Sequence, residues 1–197
     1  KPMKGTAQRQ ADPQKDAEVA ERLRTDPKQR AENLMIVDLL RNDLSRVCAA
    51  GSVQVPALFH IESYPTVHQM TSTVTGVLAD GTDSVDVIRA LFPCGSITGA
   101  PKIRAMQVVE EVENASRGIY CGSIGRIDAN GDAAFNVAIR TFTVCDTTKS
   151  LSLGLGSGIV ADSHEADEWA ECLAKGDFAK LVNHGFDLIE TMRSEPL

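Results

Sequence analysis

The chain has 197 residues, 43% hydrophobic and 24% charged, with a formal net charge of −7 and a pI of about 5.1. That is enough apolar material for a folded domain with its own core, while the acidic balance excludes a surface built to neutralise a nucleic-acid backbone. No apolar run approaches the ~20 residues that cross a bilayer, and Lys1 to Arg9 is too polar for a signal sequence, so the cytoplasm is expected and a membrane is not.

The opening Lys1-Pro2-Met3-Lys4-Gly5-Thr6 reads as a short turn without an initiator methionine, so the sequence is expected to start inside a domain. Asp12-Pro13 and Asp26-Pro27 each offer a capping carboxylate followed by proline at the first helical position, which predicts two helix starts. The second helix should run from Pro27 into Leu44, with Gly51 as the stop. Because Leu34 to Leu40 is almost continuously apolar, it is expected to be largely buried.

Ser52 to Ala79 is rich in Val, Thr, Ile, Phe and Tyr and predicts two strands, with Pro56 and Pro65 marking an edge or bend. Ser84 to Phe92 reads as a short amphipathic helix, and Gly99-Ala100-Pro101 introduces another carrying Ile103, Met106 and Val109 at helical spacing. From Ile119 to Val160 three extended segments are expected in an antiparallel meander, with Asn130-Gly131 as a two-residue hairpin turn. A last helix from His164 to Val182 carries Trp169, Cys172, Leu173, Leu181 and Val182, and Ser194 to Leu197 reads as a loose terminus. Antiparallel strands mixed with helices, without strict strand-helix-strand alternation, give an α+β class: antiparallel sheets with packed helices. The five cysteines are an odd number without a C-x-x-C pair, so they are expected to be buried small apolar residues rather than disulfides or zinc ligands.

Several side chains could carry chemistry. Glu32 shares a helical face with Met35, Ile36 and Leu39, and serves either as a first-turn acid facing the helix dipole or as a ligand. Asp38 has Arg41 and Asn42 within reach. Glu168, Glu171 and Lys175 follow the i, i+3 and i+4 spacings, which on most proteins make a solvated salt-bridge face. Two carboxylates from different helices, Glu32 and Glu171, would also suit Mg²⁺. Gly154-Leu155-Gly156-Ser157-Gly158 lacks the dinucleotide-binding spacing, but it would let backbone N–H groups approach an anion, or it is simply a turn. Lys4 becomes a nucleophile only if its amine can lose a proton, and is otherwise a solubilising lysine. His68, on a Val/Thr-rich strand, reads as a hydrogen-bonded structural residue more readily than as a catalyst.

In their order along the chain, Pro2-Met3-Lys4-Gly5-Thr6, Arg30-Ala31-Glu32-Asn33-Leu34-Met35-Ile36-Val37-Asp38-Leu39, Arg41-Asn42-Asp43-Leu44, Gly99 to Met106, Gly122-Ser123-Ile124-Gly125 and Gly156 to Ser163 resemble the chorismate-utilising enzymes. That family includes anthranilate, aminodeoxychorismate, isochorismate and salicylate synthases. The resemblance implies the C-terminal half of the chorismate-binding, anthranilate synthase component I-like fold over residues 1–187, with 188–197 as a tail. It implies Mg²⁺ on Glu32 and Glu171 with Glu168 beside them, and chorismate held by Thr6, Arg140, Lys175 and the backbone of Gly156, Ser157 and Gly158. Tyr120 and His68 match positions lining the same pocket, and the resemblance implies Lys4 and His68 as the catalytic residues.

Anthranilate synthases resemble the opening segment but carry alanine at the position of Lys4, whereas the lysine form looks like the aminodeoxychorismate synthase branch, in which the amine forms an adduct with the ring. Lys1, Met3 and Ala7 depart from the usual arginine, isoleucine and arginine. The resemblance further implies ammonia from a glutaminase partner, and a general acid in an N-terminal half that this sequence lacks, so an incomplete and by itself inactive piece is expected. The rival readings are an anthranilate, isochorismate or salicylate synthase relative, and a non-catalytic module that binds a small acid.

Overall fold

The computed structural model describes residues 1–161 and 163–180; Asp162, Leu181, Val182 and the predicted tail at 188–197 lie outside the described residues. The chain divides into two compact units, residues 1–100 with 129–132, and residues 101–128 with 133–197.

The first unit is built on a three-stranded antiparallel sheet in the order β1-β3-β2, formed by β1 (Met3–Gln8), β2 (Gln54–Ser63) and β3 (Val67–Thr75). Helices α1 (Pro13–Thr25) and α2 (Pro27–Ser45) begin where the capping carboxylates predict. Asp12 accepts from the N–H groups of Gln14 and Lys15, Asp26 accepts from Gln29, and each helix has proline in its first turn. Both helices pack on all three strands. The central strand is buried continuously from His68 to Ser72, so the interior mixes Met70, Ile36, Val37 and Leu23 with polar Asn33, His68, Gln69, Thr71 and Ser72. A second apolar cluster of Val47, Cys48 and Ala90, flanked by Leu44, Val53 and Val87, ties the end of α2 to α3 (Ser84–Leu91), which opens with a capping box between Asp83 and Asp86. The one-turn α4 (Gly95–Thr98) had no counterpart in the sequence reading.

The expected burial of α2 is corrected: Leu34 and Met35 are 42% and 44% exposed, and Ile36 and Val37 alone of the run from Leu34 to Leu40 are buried. A helix resting on one sheet buries one stripe, whatever the composition of its other sides.

The second unit holds α5 (Lys102–Val112), two antiparallel hairpins and α6 (Glu165–Lys180). One hairpin pairs β4 (Ser123–Ile127) with β5 (Ala133–Val137), and the other pairs β6 (Phe142–Cys145) with β7 (Ser150–Leu153). Four strands therefore replace the expected three. The last β4–β5 pair is Ile127 with Ala133, so Asn130-Gly131 is the centre of a five-residue loop rather than a two-residue turn. Asn130 Oδ1 accepts there from the N–H of Asp132, and Gly131 takes φ 90°. On α5, Ile103 is 75% exposed. The cysteines are all free, but Cys48 and Cys121 alone are buried, and Cys145 is exposed at the end of β6, against the expectation of buried thiols throughout. Among the described residues no helix is long and apolar enough to cross a membrane.

Candidate active site

Lys4 lies in a strand, not in the expected turn. Met3 faces Thr71 and Thr6 faces Gln69, so Lys4 and Gly5 together oppose Met70 alone and form a bulge in the β1–β3 ladder. Gly5 takes φ 95°, and a methyl group on it would stand 3.0 Å from Gln29 Oε1, 3.2 Å from Leu23 Cδ1 and 3.3 Å from Met70 Cβ. The first two helices thus close on β1 beside the lysine. Lys4 itself is half-buried, and Thr6 is exposed opposite Gln69.

Glu32 is half-buried in the second turn of α2. Its neighbour Asn33 is fully buried and accepts from Ser72 Oγ at 2.6 Å, while Ser72 Oγ accepts from the N–H of Phe59 at 3.1 Å. Asp38 is paired with Arg41 at 2.9 Å, as its neighbours predicted.

His68 is 3% exposed and has both ring nitrogens engaged. Nε2 is 3.0 Å from Asp16 Oδ1, and Nδ1 is 2.9 Å from Ser63 Oγ on the facing strand. Asp16 is in turn gripped by the Nε of Arg9, which donates to both carboxylate oxygens, and by the N–H of Gln10. The Arg9 guanidinium, then the Gln10 N–H and then His68 hold the Asp16 carboxyl well below the usual carboxylate range. No spacing rule connects Asp16 to a histidine 52 residues away, which is why sequence reasoning missed Asp16, Arg9 and Ser63.

In the second unit the glycine segment follows β7, and Tyr120 lies against it. A methyl on Gly154 would overlap the Tyr120 ring, and one on Gly156 would stand 2.7 Å from the phenol oxygen. Burial pushes the Tyr120 phenol up from its ordinary range, and Arg117, bidentate on Glu113, sits 6.0 Å from the ring centre. From α6, Lys175 Nζ donates to the Gly156 carbonyl at 2.9 Å and pairs with Glu171 at 2.6 Å. The carbonyl of a trans peptide is opposed by its N–H. With the Gly156 oxygen drawn toward α6, the Ser157 N–H therefore faces the other way, where it can donate to an anion. Glu168, one helical turn before Glu171, accepts from Ser163 Oγ at 2.5 Å. Arg140 is exposed just beyond β5, at φ 52° in the left-handed region.

Tyr120, Gly156, Lys175 and Glu171 are thus brought together in one unit. Lys4, Thr6, Glu32 and His68 belong to the other. Among the described residues no three His, Cys, Asp or Glu side chains form a cluster able to hold a metal ion.

The profile of the chorismate binding enzymes matches residues 1–180. Aminodeoxychorismate synthase component 1 of Salmonella typhimurium is 49% identical over 175 residues, covering 89% of this chain and 38% of that protein. Anthranilate synthase component 1 of Aquifex aeolicus is 43% identical over 195 residues, covering 99% of this chain and again 38% of the relative. The crystal structure of anthranilate synthase component I from Streptococcus pneumoniae superposes with a TM-score of 0.73 at 36% identity, over 86% of this chain and 38% of that one. The chain spans 38% of the length of these relatives.

Proposed function

The chain belongs to the family of chorismate binding enzymes, and on that premise we propose that it is part of an enzyme that aminates chorismate to 4-amino-4-deoxychorismate, a step toward para-aminobenzoate and folate. The observation that carries this reading is Lys4, in a segment that resembles the family's lysine form, in a chain 49% identical over 175 residues to an aminodeoxychorismate synthase component. The glutaminase that supplies ammonia is proposed as a partner, in keeping with a relative named as component 1.

The Lys4 amine bonds to the ring as the C4–OH bond breaks, and the hydroxyl takes a proton and leaves as water. Ammonia then forms the new C4–N bond as the bond to Lys4 breaks, so chorismate and ammonia give the amino product and water. Two substitutions replace one difficult displacement. In this reading the family resemblance assigns the substrate's carboxylates to Arg140, Lys175 and the backbone of Gly156 to Gly158, the pocket lining to Thr6 and Tyr120, and a catalytic role to His68. Glu32, Glu168 and Glu171 are all oxygen donors, the chemistry a hard cation takes, and would hold Mg²⁺. Such an ion would supply positive charge that offsets the negative charge of the acids and of the substrate. Glu171 would exchange its bond to Lys175 for the metal.

The test is product analysis with the full-length protein, chorismate, ammonium salt and Mg²⁺. The expected product is 4-amino-4-deoxychorismate, with Lys4→Ala lowering turnover on the order of a hundredfold or more and abolishing a mass-detectable lysine adduct. A second reading, anthranilate synthesis, is favoured by the Aquifex relative, which aligns with 99% of the chain. Anthranilate as product, indifferent to Lys4→Ala, would establish it. Mg²⁺-dependent chorismate binding without turnover would instead make the protein a binding module.

A further inference from the structure

In the first unit four polar side chains from four parts of the fold form a row that runs from the buried His68 to the exposed Ser63. Arg9 follows β1, Asp16 sits in the first turn of α1, His68 is on β3, and Ser63 ends β2. Ser63 and His68 are direct cross-strand partners, and Ala7 flanks His68 from β1, so the imidazole is fixed between two strands and a helix. The charged groups bonded into this row are Asp16 and, through it, Arg9.

An ionised carboxylate can only accept hydrogen bonds. Asp16, bound by a guanidinium fork and a backbone N–H, is such an acceptor, so the hydrogen between it and His68 belongs to Nε2. When the ring carries that one hydrogen its lone pair is on Nδ1, and the bond to Ser63 then runs from the serine hydroxyl to that nitrogen. Neither ring nitrogen is left to meet a ligand. Ser63, by contrast, is exposed.

We infer that Asp16, anchored by Arg9, is a positioning residue that locks His68 as its Nε2–H tautomer, and that the Ser63 hydroxyl is the outward end of a Ser63–His68–Asp16 proton relay. A proton arriving at Ser63 Oγ is matched by transfer of the serine's own proton to Nδ1, leaving an imidazolium against the Asp16 carboxylate. The reverse transfer restores both groups, with no other bond made or broken. The lock stands on these contacts alone, while its use in turnover rests on the proposed role of His68 in the amination.

Nitrogen-edited NMR of the full chain tests the lock. The expected spectrum has the His68 proton on Nε2, and in Asp16→Asn, whose amide can donate to the ring as well as accept from it, the Nε2–H form is no longer the sole tautomer. A proton on Nδ1 in the parent protein, or a tautomer that Asp16→Asn leaves unchanged, overturns the inference. Should Asp16→Asn not fold, the tautomer of the parent protein decides alone. Ser63→Ala tests the relay: it should keep the Nε2–H tautomer and lower kcat without raising KM for chorismate, displacing the acidic limb of the pH–rate profile. An intact lock with unchanged kcat and pH profile in Ser63→Ala overturns the relay and removes His68 from the proposed chemistry, while leaving amination through Lys4 to its own test.

Discussion

At Gly5 the backbone takes φ 95° with three side-chain atoms within 3.3 Å of where a methyl would stand, whereas Gly51, at φ 77°, has open space around it. Gly51→Ala therefore carries only the conformational cost, and Gly5→Ala adds the displacement of Leu23, Gln29 and Met70. Gly5→Ala should destabilise by about 1–3 kcal/mol and Gly51→Ala by less, read from urea midpoints. The carboxylates of Asp16 and Glu62 make a second prediction. Asp16 is held low by Arg9, and Glu62 is pulled to about 2 by Lys1 and then Tyr64. A carboxyl whose folded value lies below its unfolded value stabilises fully above the unfolded value, near pH ~4, and loses that contribution as the pH falls through the folded one. Stability should thus decline on acidification below pH ~4. Arg9→Gln should lower it at neutral pH while flattening the acid decline, and an unchanged slope in that variant would count against the assignment.

Between residues and molecule lie the helices and hairpins. The starts of α1 and α2 were legible because capping is local: an Asp-Pro pair carries its own geometry, and Asp12→Ala or Asp26→Ala should each cost about 1 kcal/mol in thermal or urea unfolding. The bulge in β1 was not legible, since a pleat with two residues against one depends on the partner strand as much as on Lys4 and Gly5. Nor was the exposure of Leu34 and Met35, because an apolar run does not state how many of its sides meet other protein. The glycine segment was read as either an anion cradle or a plain turn. Its packing against Tyr120 and its bond from Lys175 now make its conformation dependent on both. Gly154→Ala, which sets a methyl into the Tyr120 ring, should weaken chorismate binding while leaving the urea midpoint of the first unit unchanged.

On the scale of the whole chain, the family motifs were readable one by one, and their partners were not. His68 was singled out, but its acid, its arginine and its serine come from elsewhere in the sequence. Since the chain spans 38% of these relatives, a polypeptide of these 197 residues alone should turn over little or no chorismate with ammonia and Mg²⁺, and measurable product from it would show that these residues suffice. The polar interior around β3 reaches further than this protein. A core of interchangeable hydrocarbon tolerates substitutions one at a time, but where Asn33 answers Ser72 and Asp16 answers His68, a donor changed alone strands its acceptor. Across descendants of this sequence, positions 33 with 72 and 16 with 68 should therefore drift as couples, leaving a record of covariation where an oily interior would leave none.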